Sequence, residues 1–259
     1  MSMPVIKLSV SWKRLALNIH RGDRMKTLVA MDTKSIVGKS LVEQRTDSVC
    51  NNFRNGDHTT TLIRTESGKV IEIQHNVMTP QPYNRLYQLT GTKGFANKYP
   101  TQGYALSADQ LTASGIQPQV DNLSAHGFMP KAEQDALVEK YRHPILKKYG
   151  EMAKEVGGHG GMDFIMDSRL IYCLQNGLPL DMDVYDLAEW CCLAELGELS
   201  MDNNCAAVSV PDFTRGEWNT IKGFKHAYAT PEEEASSMKK AKAFTAKLKE
   251  QGAKEWSAE

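Results

Sequence analysis

The sequence predicts an α+β fold in which an open, mainly antiparallel β-sheet carries helices packed on one of its faces. Short segments of alternating polarity, separated by turn residues, lie between residues 25 and 99. Apolar residues at helical spacing follow between residues 131 and 251. With 259 residues, of which 41% are hydrophobic, the chain is long enough to bury a sizeable core.

The strands are predicted from alternation and from the turns that separate them. Met25 to Met31 is a short apolar strand. His58 to Thr65 and Lys69 to Val77 alternate on either side of a turn that contains glycine, which predicts a hairpin. Arg85 to Gly91 is a further strand. Residues 100–130, rich in Gly, Ser, Gln and Pro, are predicted to form one long loop.

The second half is predicted to be helical. Lys131 to Val156 has a helical pattern that Pro144 divides into two helices. Met162 to Asn176 follows and is closed by a glycine. Asp183 to Leu199 and the charged residues 230–251 complete the set, the latter with a Thr-Pro-Glu-Glu start signal.

Two of these helices carry apolar stripes that predict which side faces the core. The stripe of the 162–176 helix consists of Met162, Ile165, Met166, Leu170, Cys173 and Leu174. The stripe of the 183–199 helix consists of Val184, Leu187, Ala188, Cys191, Ala194 and Leu199.

The charge balance argues against two classes of partner. Lys plus Arg and Asp plus Glu number 31 each, so the formal net charge is zero. Such a chain exerts no long-range attraction on nucleic acid or on an anionic membrane. No segment approaches the roughly 18 apolar residues of a membrane span. We therefore expect neither nucleic acid nor a membrane as a partner.

No signal-peptide core is present near the N-terminus, and the sequence assigns no cellular location.

The cysteines predict thiols rather than cross-links. Their number, five, is odd and their spacing does not repeat, which favours reduced thiols over a disulfide framework. No Cys-x-x-Cys pair is present, so no structural zinc site is predicted. Cys191 and Cys192 lie in a helical pattern and are expected to pack in the core.

The most unusual motif is Gly-Gly-His-Gly-Gly at residues 157–161, directly before a helix. Glycines let the backbone approach a ligand, and a helix N-terminus favours anions. His159 is therefore a candidate polar contact or proton-transfer group, and the alternative is a structural histidine in a turn. His159, Asp163 and Asp167 are spaced like metal ligands, but first-turn aspartates are expected from the helix dipole, so no metal is predicted. The motif is not a dinucleotide fingerprint, which follows a strand.

A second candidate site surrounds Tyr83. Pro80 and Pro82 predict an extended connection that would hold Tyr83 and Arg85 at a sheet edge. A rigid tyrosine can stack on a sugar ring or donate its hydroxyl to one. The alternative is a turn with a half-buried tyrosine.

Several long motifs resemble the C-terminal part of family 109 glycoside hydrolases. They are KYGEMAKEVGGHGGMDFIMDSRLIYCLQNGLPLDMDVYDLAEWCCLAELGELS, VPDFTRGEW, HNVMTPQPYNRLYQLTGTKGFANKYP and LNIHRGDRM. The resemblance covers residues 17 to about 220, and the GGHGGMDFIMD and NGLPLDMDVYD segments are its most specific parts.

The resemblance implies a function as well as a fold. Members of the family are NAD-dependent α-N-acetylgalactosaminidases within the Gfo/Idh/MocA oxidoreductase superfamily. A Rossmann domain binds NAD, and an open-sheet C-terminal domain carries much of the substrate pocket and the oligomer contacts. NAD oxidises the sugar at C3, elimination expels the aglycone, water adds, and the hydride returns. The expected partners are an N-acetylgalactosamine-type sugar and further copies of the chain, joined through the sheet.

Four residues are carried over as substrate-binding candidates. Tyr83 matches the family tyrosine expected to contact the sugar, and His159 matches the histidine of the glycine motif. Arg85 and Asp163 are supporting candidates. No residue is assigned to catalysis, to NAD or to a metal.

The sequence also departs from the family. Residues 1–16 resemble neither the Rossmann domain nor the segment that precedes the family's C-terminal domain, so a truncation or a frame shift is the expectation. The predicted organisation is a divergent segment 1–16, a C-terminal-type domain 17–229 and a charged helix 230–259. No NAD is expected to bind this chain alone, which we expect to be inactive. The alternatives are a non-enzymatic oligomerisation or sugar-binding module and a fragment of a sugar oxidoreductase of the same superfamily.

Overall fold

The described residues form two compact units. A computed structural model describes residues 17–45, 53–76, 78–113, 115, 127–178 and 180–220, with the single residues 243, 246 and 250. The first unit contains the described residues up to Gln134 and those from Val184 to Thr220, and the second contains those from Asp135 to Asp183. No helix within these ranges is both long enough and apolar enough to span a membrane.

The first unit contains the strands of the described chain, which form two antiparallel sheets. They are β1 (Met25–Asp32), β2 (His58–Thr65), β3 (Val70–Asn76), β4 (Gln88–Gly91), β5 (Gly94–Asn97), β6 (Gly103–Leu106) and β7 (Val208–Ser209). The four-stranded sheet has the order β3-β2-β1-β7, and the three-stranded sheet has the order β4-β5-β6. The chain contains both helices and open antiparallel sheets, which confirms the predicted α+β class. The sequence predicted one sheet, whereas the structure has two.

One short described helix lies between β1 and β2, and the others lie between β6 and β7. They are α1 (Val37–Glu43), α2 (Ala108–Ala113), α3 (Lys131–Lys140), α4 (Pro144–Val156), α5 (Met162–Asn176) and α6 (Val184–Asp202). Single 3-10 turns cover His159–Gly161 and Glu217–Asn219. The predicted break before Pro144 is confirmed, since proline is tolerated in the first turn of a helix but not in its interior.

The predicted hairpin is confirmed, because its signals are local. β2 and β3 pair in register with Ile63 opposite Ile71, and both side chains are buried. Val70, Glu72 and Gln74 lie on the opposite, exposed face, as the alternation predicts. Gly68 closes the turn with a φ of +85°, a conformation that favours glycine.

The core lies between the four-stranded sheet and α6. Leu28 of β1 pairs with Ile63, and Leu193 of α6 packs on this apolar row. Gly197 of α6 faces Ala30 of β1, and a Cβ on it would lie in ordinary van der Waals contact with Cβ of Ala30, at 3.6 Å. The short β7 pairs with only Thr27 and Leu28 of β1. Beyond that pairing, the amide of Ala30 donates a hydrogen bond to Ser200 Oγ at 3.0 Å.

The face of α6 that points to the core differs from the predicted one. Its buried residues are Asp186, Glu189, Leu193, Gly197 and Ser200. Most of the predicted stripe, including Val184, Leu187, Cys191 and Leu199, is exposed. The physical reason is that α6 meets polar groups of residues 20–25 and a closely approaching strand, so carboxylates and small residues fit there.

The cysteine predictions had mixed outcomes. Cys173, Cys191, Cys192 and Cys205 are free, which confirms thiols for the described cysteines. The prediction that Cys191 packs in the core was wrong, because Cys191 is exposed. The same prediction for Cys192 was met only in part, because Cys192 is half-buried. Burial and the neighbouring Glu189 raise the pKa of Cys192 to about 12, so this thiol is kept protonated.

The long loop predicted for residues 100–130 was also wrong in part. β6 and α2 lie inside that range. β6 is only four residues long and finds its partner in β5, so its own alternation is too short to reveal it. Gly103 is required there because a Cβ would lie 2.4 Å from the ring of Phe128.

The second unit is built around α4 and α5. Gly177 adopts the left-handed conformation that ends α5, as predicted. Of the apolar stripe predicted for α5, Cys173 is buried, whereas Met162, Met166, Leu170 and Leu174 are exposed in the described structure. The predicted helix at residues 230–251 and the divergent residues 1–16 lie outside the described ranges.

Candidate functional site

The glycine loop, residues 157–161, has an unusual backbone. All five residues have positive φ: +88°, +72°, +48°, +71° and +93° in chain order. Glycine adopts this region freely, whereas for another residue it costs roughly 1 to 2 kcal/mol. His159 is the one residue of the five that bears this cost. Strain of this kind persists where the surrounding structure over-determines it, which is common at functional sites.

The neighbours of the loop explain why it needs glycine. A Cβ on Gly161 would lie 2.5 Å from the carbonyl carbon of Ala153, so the loop packs directly on the last turn of α4. A Cβ on Gly158 would lie 3.0 Å from Oδ2 of Asp163. The absence of side chains therefore brings the loop against α4 and makes room for a carboxylate.

That carboxylate is paired with the imidazole of His159. Nδ1 of His159 lies 2.8 Å from Oδ2 of Asp163, which stands in the first turn of α5. The His159 side chain is 75% exposed and that of Asp163 is 42% exposed. An imidazole held by a carboxylate through one nitrogen and open to solvent at the other can exchange protons with a ligand.

Tyr83 and Arg85 form a second exposed pair. The segment before them is held by Asn76, whose Nδ2 donates to Thr79 Oγ1 at 2.7 Å and to Gln81 Oε1 at 2.8 Å. The Tyr83 side chain is 74% exposed, so the half-buried alternative is wrong. The Arg85 guanidinium lies 5.3 Å from the centre of its ring, within cation–π distance. An aromatic face beside a multiple hydrogen-bond donor is suited to a sugar.

The four predicted residues therefore occur as two pairs. Tyr83 and Arg85 belong to the first unit, and His159 and Asp163 belong to the second. The structure brings the members of each pair together within their own unit.

A buried ionic cluster was missed from the sequence. The ring of His20 is 3% exposed and lies between two carboxylates of α6: Nε2 is 2.6 Å from Oε2 of Glu189, and Nδ1 is 3.3 Å from Oδ1 of Asp186. Arg21 Nη2 is 3.7 Å from Oδ2 of Asp186. Oε1 of Glu189 also accepts the Met25 amide at 2.9 Å. The available signal was weak: Asp186 and Glu189 lie three residues apart, but Glu195 and Glu198 of the same helix have the same spacing and are exposed.

The cluster holds His20 in its charged form. Burial alone would lower the pKa of His20, but its contacts with Asp186 and Glu189 outweigh burial and raise the pKa to about 9. His20 also has a φ of +59°, so the backbone is strained at the residue that carries the buried charge. The cluster ties the segment before β1 to α6.

A third buried carboxylate, that of Asp23, secures the same segment. Burial raises the pKa of Asp23, but hydrogen bonds from Ser67 and Lys69 outweigh that effect and lower it. Ser67 donates both its amide and its hydroxyl to Asp23, and Lys69 Nζ lies 3.0 Å from Oδ2. Asp23 therefore fastens the β2–β3 turn to the segment before β1.

The described residues do not fit a dinucleotide. A Rossmann site needs parallel strands and a glycine-rich turn between a strand and a helix. In the described sheets every strand pair is antiparallel, and the glycine loop follows a helix, α4. We therefore derive no chemical step through NAD from these residues.

Comparison with known proteins identifies relatives. The family model described as "Glycosyl hydrolase 109, C-terminal domain" matches residues 13–220. The chain is 84% identical over 243 residues to "Glycosyl hydrolase family 109 protein 4" of Phocaeicola vulgatus, covering 94% of this chain and 47% of that protein. It is 60% identical over 213 residues to "Glycosyl hydrolase family 109 protein" of Porphyromonas gingivalis, covering 82% and 45%. The chain thus spans about half the length of these curated relatives.

Proposed function

Because the chain belongs to glycosyl hydrolase family 109, we propose that it is the sugar-binding C-terminal part of an NAD-dependent α-N-acetylgalactosaminidase. The observation that carries the proposal is the exposed pair of His159 and Asp163. The pair lies within the region that the family model matches, in a loop where the backbone of His159 has a positive φ. The same match supports the general class, a glycosidase, independently of any one residue.

Tyr83 and Arg85 are proposed to bind the sugar. The exposed ring of Tyr83 offers an apolar surface to the C–H face of a pyranose, and its hydroxyl offers a hydrogen bond. Arg85, with its guanidinium 5.3 Å from the ring centre, adds donors for the sugar hydroxyls or the acetamido carbonyl.

His159 is proposed to transfer protons. Its outward Nε2 would give a proton to the glycosidic oxygen as the C1–O bond breaks, which lets the aglycone leave as an alcohol. Nε2 would then take a proton from the water that replaces the aglycone, which restores the imidazolium. Asp163 stabilises that charged form at 2.8 Å. The role of each pair is inferred only from the geometry within the unit to which that pair belongs.

The nicotinamide chemistry is part of the proposal for the whole protein. When bound, NAD would supply the oxidation of the sugar that the family resemblance implies. Because the described residues do not fit a dinucleotide, we expect this chain by itself to bind the sugar without turning over a glycoside.

One pair of measurements on the purified chain tests this. Calorimetric titration with N-acetylgalactosamine should give saturable binding, with galactose as the control that lacks only the acetamido group. Incubation with p-nitrophenyl α-N-acetylgalactosaminide should release no nitrophenol. Saturation by neither sugar would overturn the binding role. Release of nitrophenol by the pure chain would overturn the expectation that turnover needs parts of the protein outside this chain.

A second role is favoured by the outer face of the four-stranded sheet, which we define by Met31, Leu62 and Val70. These apolar side chains are exposed on the side of the sheet opposite the core, as strand alternation requires. They share this face with the charged side chains of Arg64 and Glu72, and such a mixture of apolar and charged groups is typical of a non-obligate interface. A second copy of the chain is the proposed occupant, which gives a homo-oligomer joined through the sheet.

A further inference from the structure

The pairing of His159 with Asp163 decides which ring nitrogen carries the proton. A carboxylate only accepts hydrogen bonds, so the 2.8 Å contact requires Nδ1 of His159 to be the donor. In the neutral ring this leaves Nε2 without a proton, as a free acceptor. No partner of Nε2 is found among the described residues, and the ring is largely exposed.

The surrounding backbone is arranged to keep this pair together. Gly158 lies against the Asp163 carboxylate where a Cβ would approach Oδ2 to 3.0 Å, and the Asp163 amide donates to the Gly158 carbonyl at 3.4 Å. The left-handed conformation of His159, with φ +48°, turns its side chain back to the first turn of α5. A glycine at this position would avoid the strain, so the loop retains histidine at a cost.

We propose that Asp163 is a positioning residue, which holds His159 in the Nδ1–H tautomer so that Nε2 faces the ligand as the proton-exchanging atom. The role depends on the proposed function of His159, but the tautomer itself does not. Asp163 acts through His159 and needs no contact with substrate. It also offsets the positive charge when Nε2 takes up a proton, and it prevents the ring from rotating away between the two transfers.

The tautomer can be measured without substrate or turnover. A chain labelled with ¹⁵N-histidine gives long-range ¹H–¹⁵N spectra in which protonated and unprotonated ring nitrogens differ widely in shift. At a pH where the ring is neutral, His159 should show a protonated Nδ1 and an unprotonated Nε2, with its signals identified by their loss in His159→Gln.

Three variants make the test specific. Asp163→Ala should move His159 to the Nε2–H tautomer that an unconstrained histidine favours. Asp163→Leu should do the same, because its side chain offers no acceptor for a proton on Nδ1. Asp167→Asn is the matched control, since this exposed aspartate lies on the same helix one turn further on, and it should leave the spectrum unchanged.

Each outcome is decisive. An Nε2–H tautomer in the unaltered chain, or an Nδ1–H tautomer that survives Asp163→Ala, overturns the inference. Should Asp163→Ala fail to fold, Asp163→Leu, which retains the volume of the side chain, answers the same question. Failure of sugar binding with the expected tautomer intact would instead overturn the proposed function, and only the assignment of the tautomer to the Asp163 contact would stand.

Discussion

Nε2 of His20 lies 2.6 Å from Oε2 of Glu189, in a place that solvent scarcely reaches. The two residues join the segment before β1 to the helix that covers the sheet. Their interaction makes the stability of the first unit depend on pH.

The stability should fall between about pH 6.5 and pH 9. The folded pKa of His20, about 9, exceeds its ordinary value of 6.5, so folding takes up a proton in this interval. The stabilisation is complete below pH 6.5 and is lost as the pH rises through 9. At about 1.4 kcal/mol per pKa unit it amounts to roughly 3 kcal/mol.

Urea unfolding across this pH range measures the effect. His20→Gln should remove most of the pH dependence and lower the free energy of unfolding at pH 6. The exposed His159→Gln should keep the dependence of the unaltered chain. If the free energy of unfolding fell with pH equally steeply in His20→Gln and in the unaltered chain, another group would be responsible.

Removing the Glu189 carboxylate should destabilise the protein strongly. Glu189→Ala leaves the buried His20 with fewer partners and the Met25 amide without its acceptor, and broken buried ion pairs cost about 3–5 kcal/mol. Glu189→Gln keeps an acceptor and should cost less. Glu195→Ala, at an exposed position of the same helix, should change the free energy of unfolding by less than about 0.5 kcal/mol.

Replacement of Tyr83 should weaken sugar binding without loss of stability. The ring is 74% exposed, so Tyr83→Ala removes little packing, while the lost stacking should raise the Kd for N-acetylgalactosamine about tenfold, or about 1.4 kcal/mol. Tyr141→Ala is the control, because Tyr141 is 69% exposed and also lies beside a cation, Lys140. Equal Kd values for both variants would contradict the assignment of Tyr83.

Two neighbouring glycines separate backbone strain from close packing. Gly160 and Gly161 both have positive φ, but a Cβ on Gly160 meets nothing within 4 Å, whereas one on Gly161 meets the Ala153 carbonyl at 2.5 Å. Gly160→Ala should cost roughly 1 to 2 kcal/mol from strain. Gly161→Ala should cost clearly more and speed hydrogen exchange in α5, and identical exchange in the two variants would argue against the packed loop.

A charge on the outer face of the sheet should disrupt self-association. Leu62→Arg replaces the central apolar side chain of this face with a cation, whose burial against a second copy is unfavourable. Sedimentation velocity should show a smaller species than for the unaltered chain. Val184→Arg, at an exposed position of α6 away from this face, should leave the oligomer intact.

Local signals predicted the elements that local interactions form. The β2–β3 hairpin follows from alternation around one turn, and the break at Pro144 follows from the chemistry of a single residue. The glycine loop and its histidine were also recognisable, because five unusual residues stand together before a helix. The partner of that histidine, four residues away, was named as well.

Long-range contacts decided the rest. Met25 and Glu189 are 164 residues apart, and nothing near either residue indicates that they meet. The face of α6 was mispredicted for this reason: apolar spacing alone cannot show that a helix will turn carboxylates inward to an imidazolium. β6 was missed because its partner strand, rather than its four residues, makes it a strand.

By itself, the sequence determined the α+β class, the family and the residues of the two exposed pairs. The class depends on local alternation and helical spacing, whereas the family and the four residues depend on motifs that resemble the family along most of the chain. Only the tertiary structure decided that His20 is a buried cation, that Tyr83 is exposed, and that the His159 backbone is strained. Those properties depend on which groups exclude water from one another, and that is fixed by packing between distant segments.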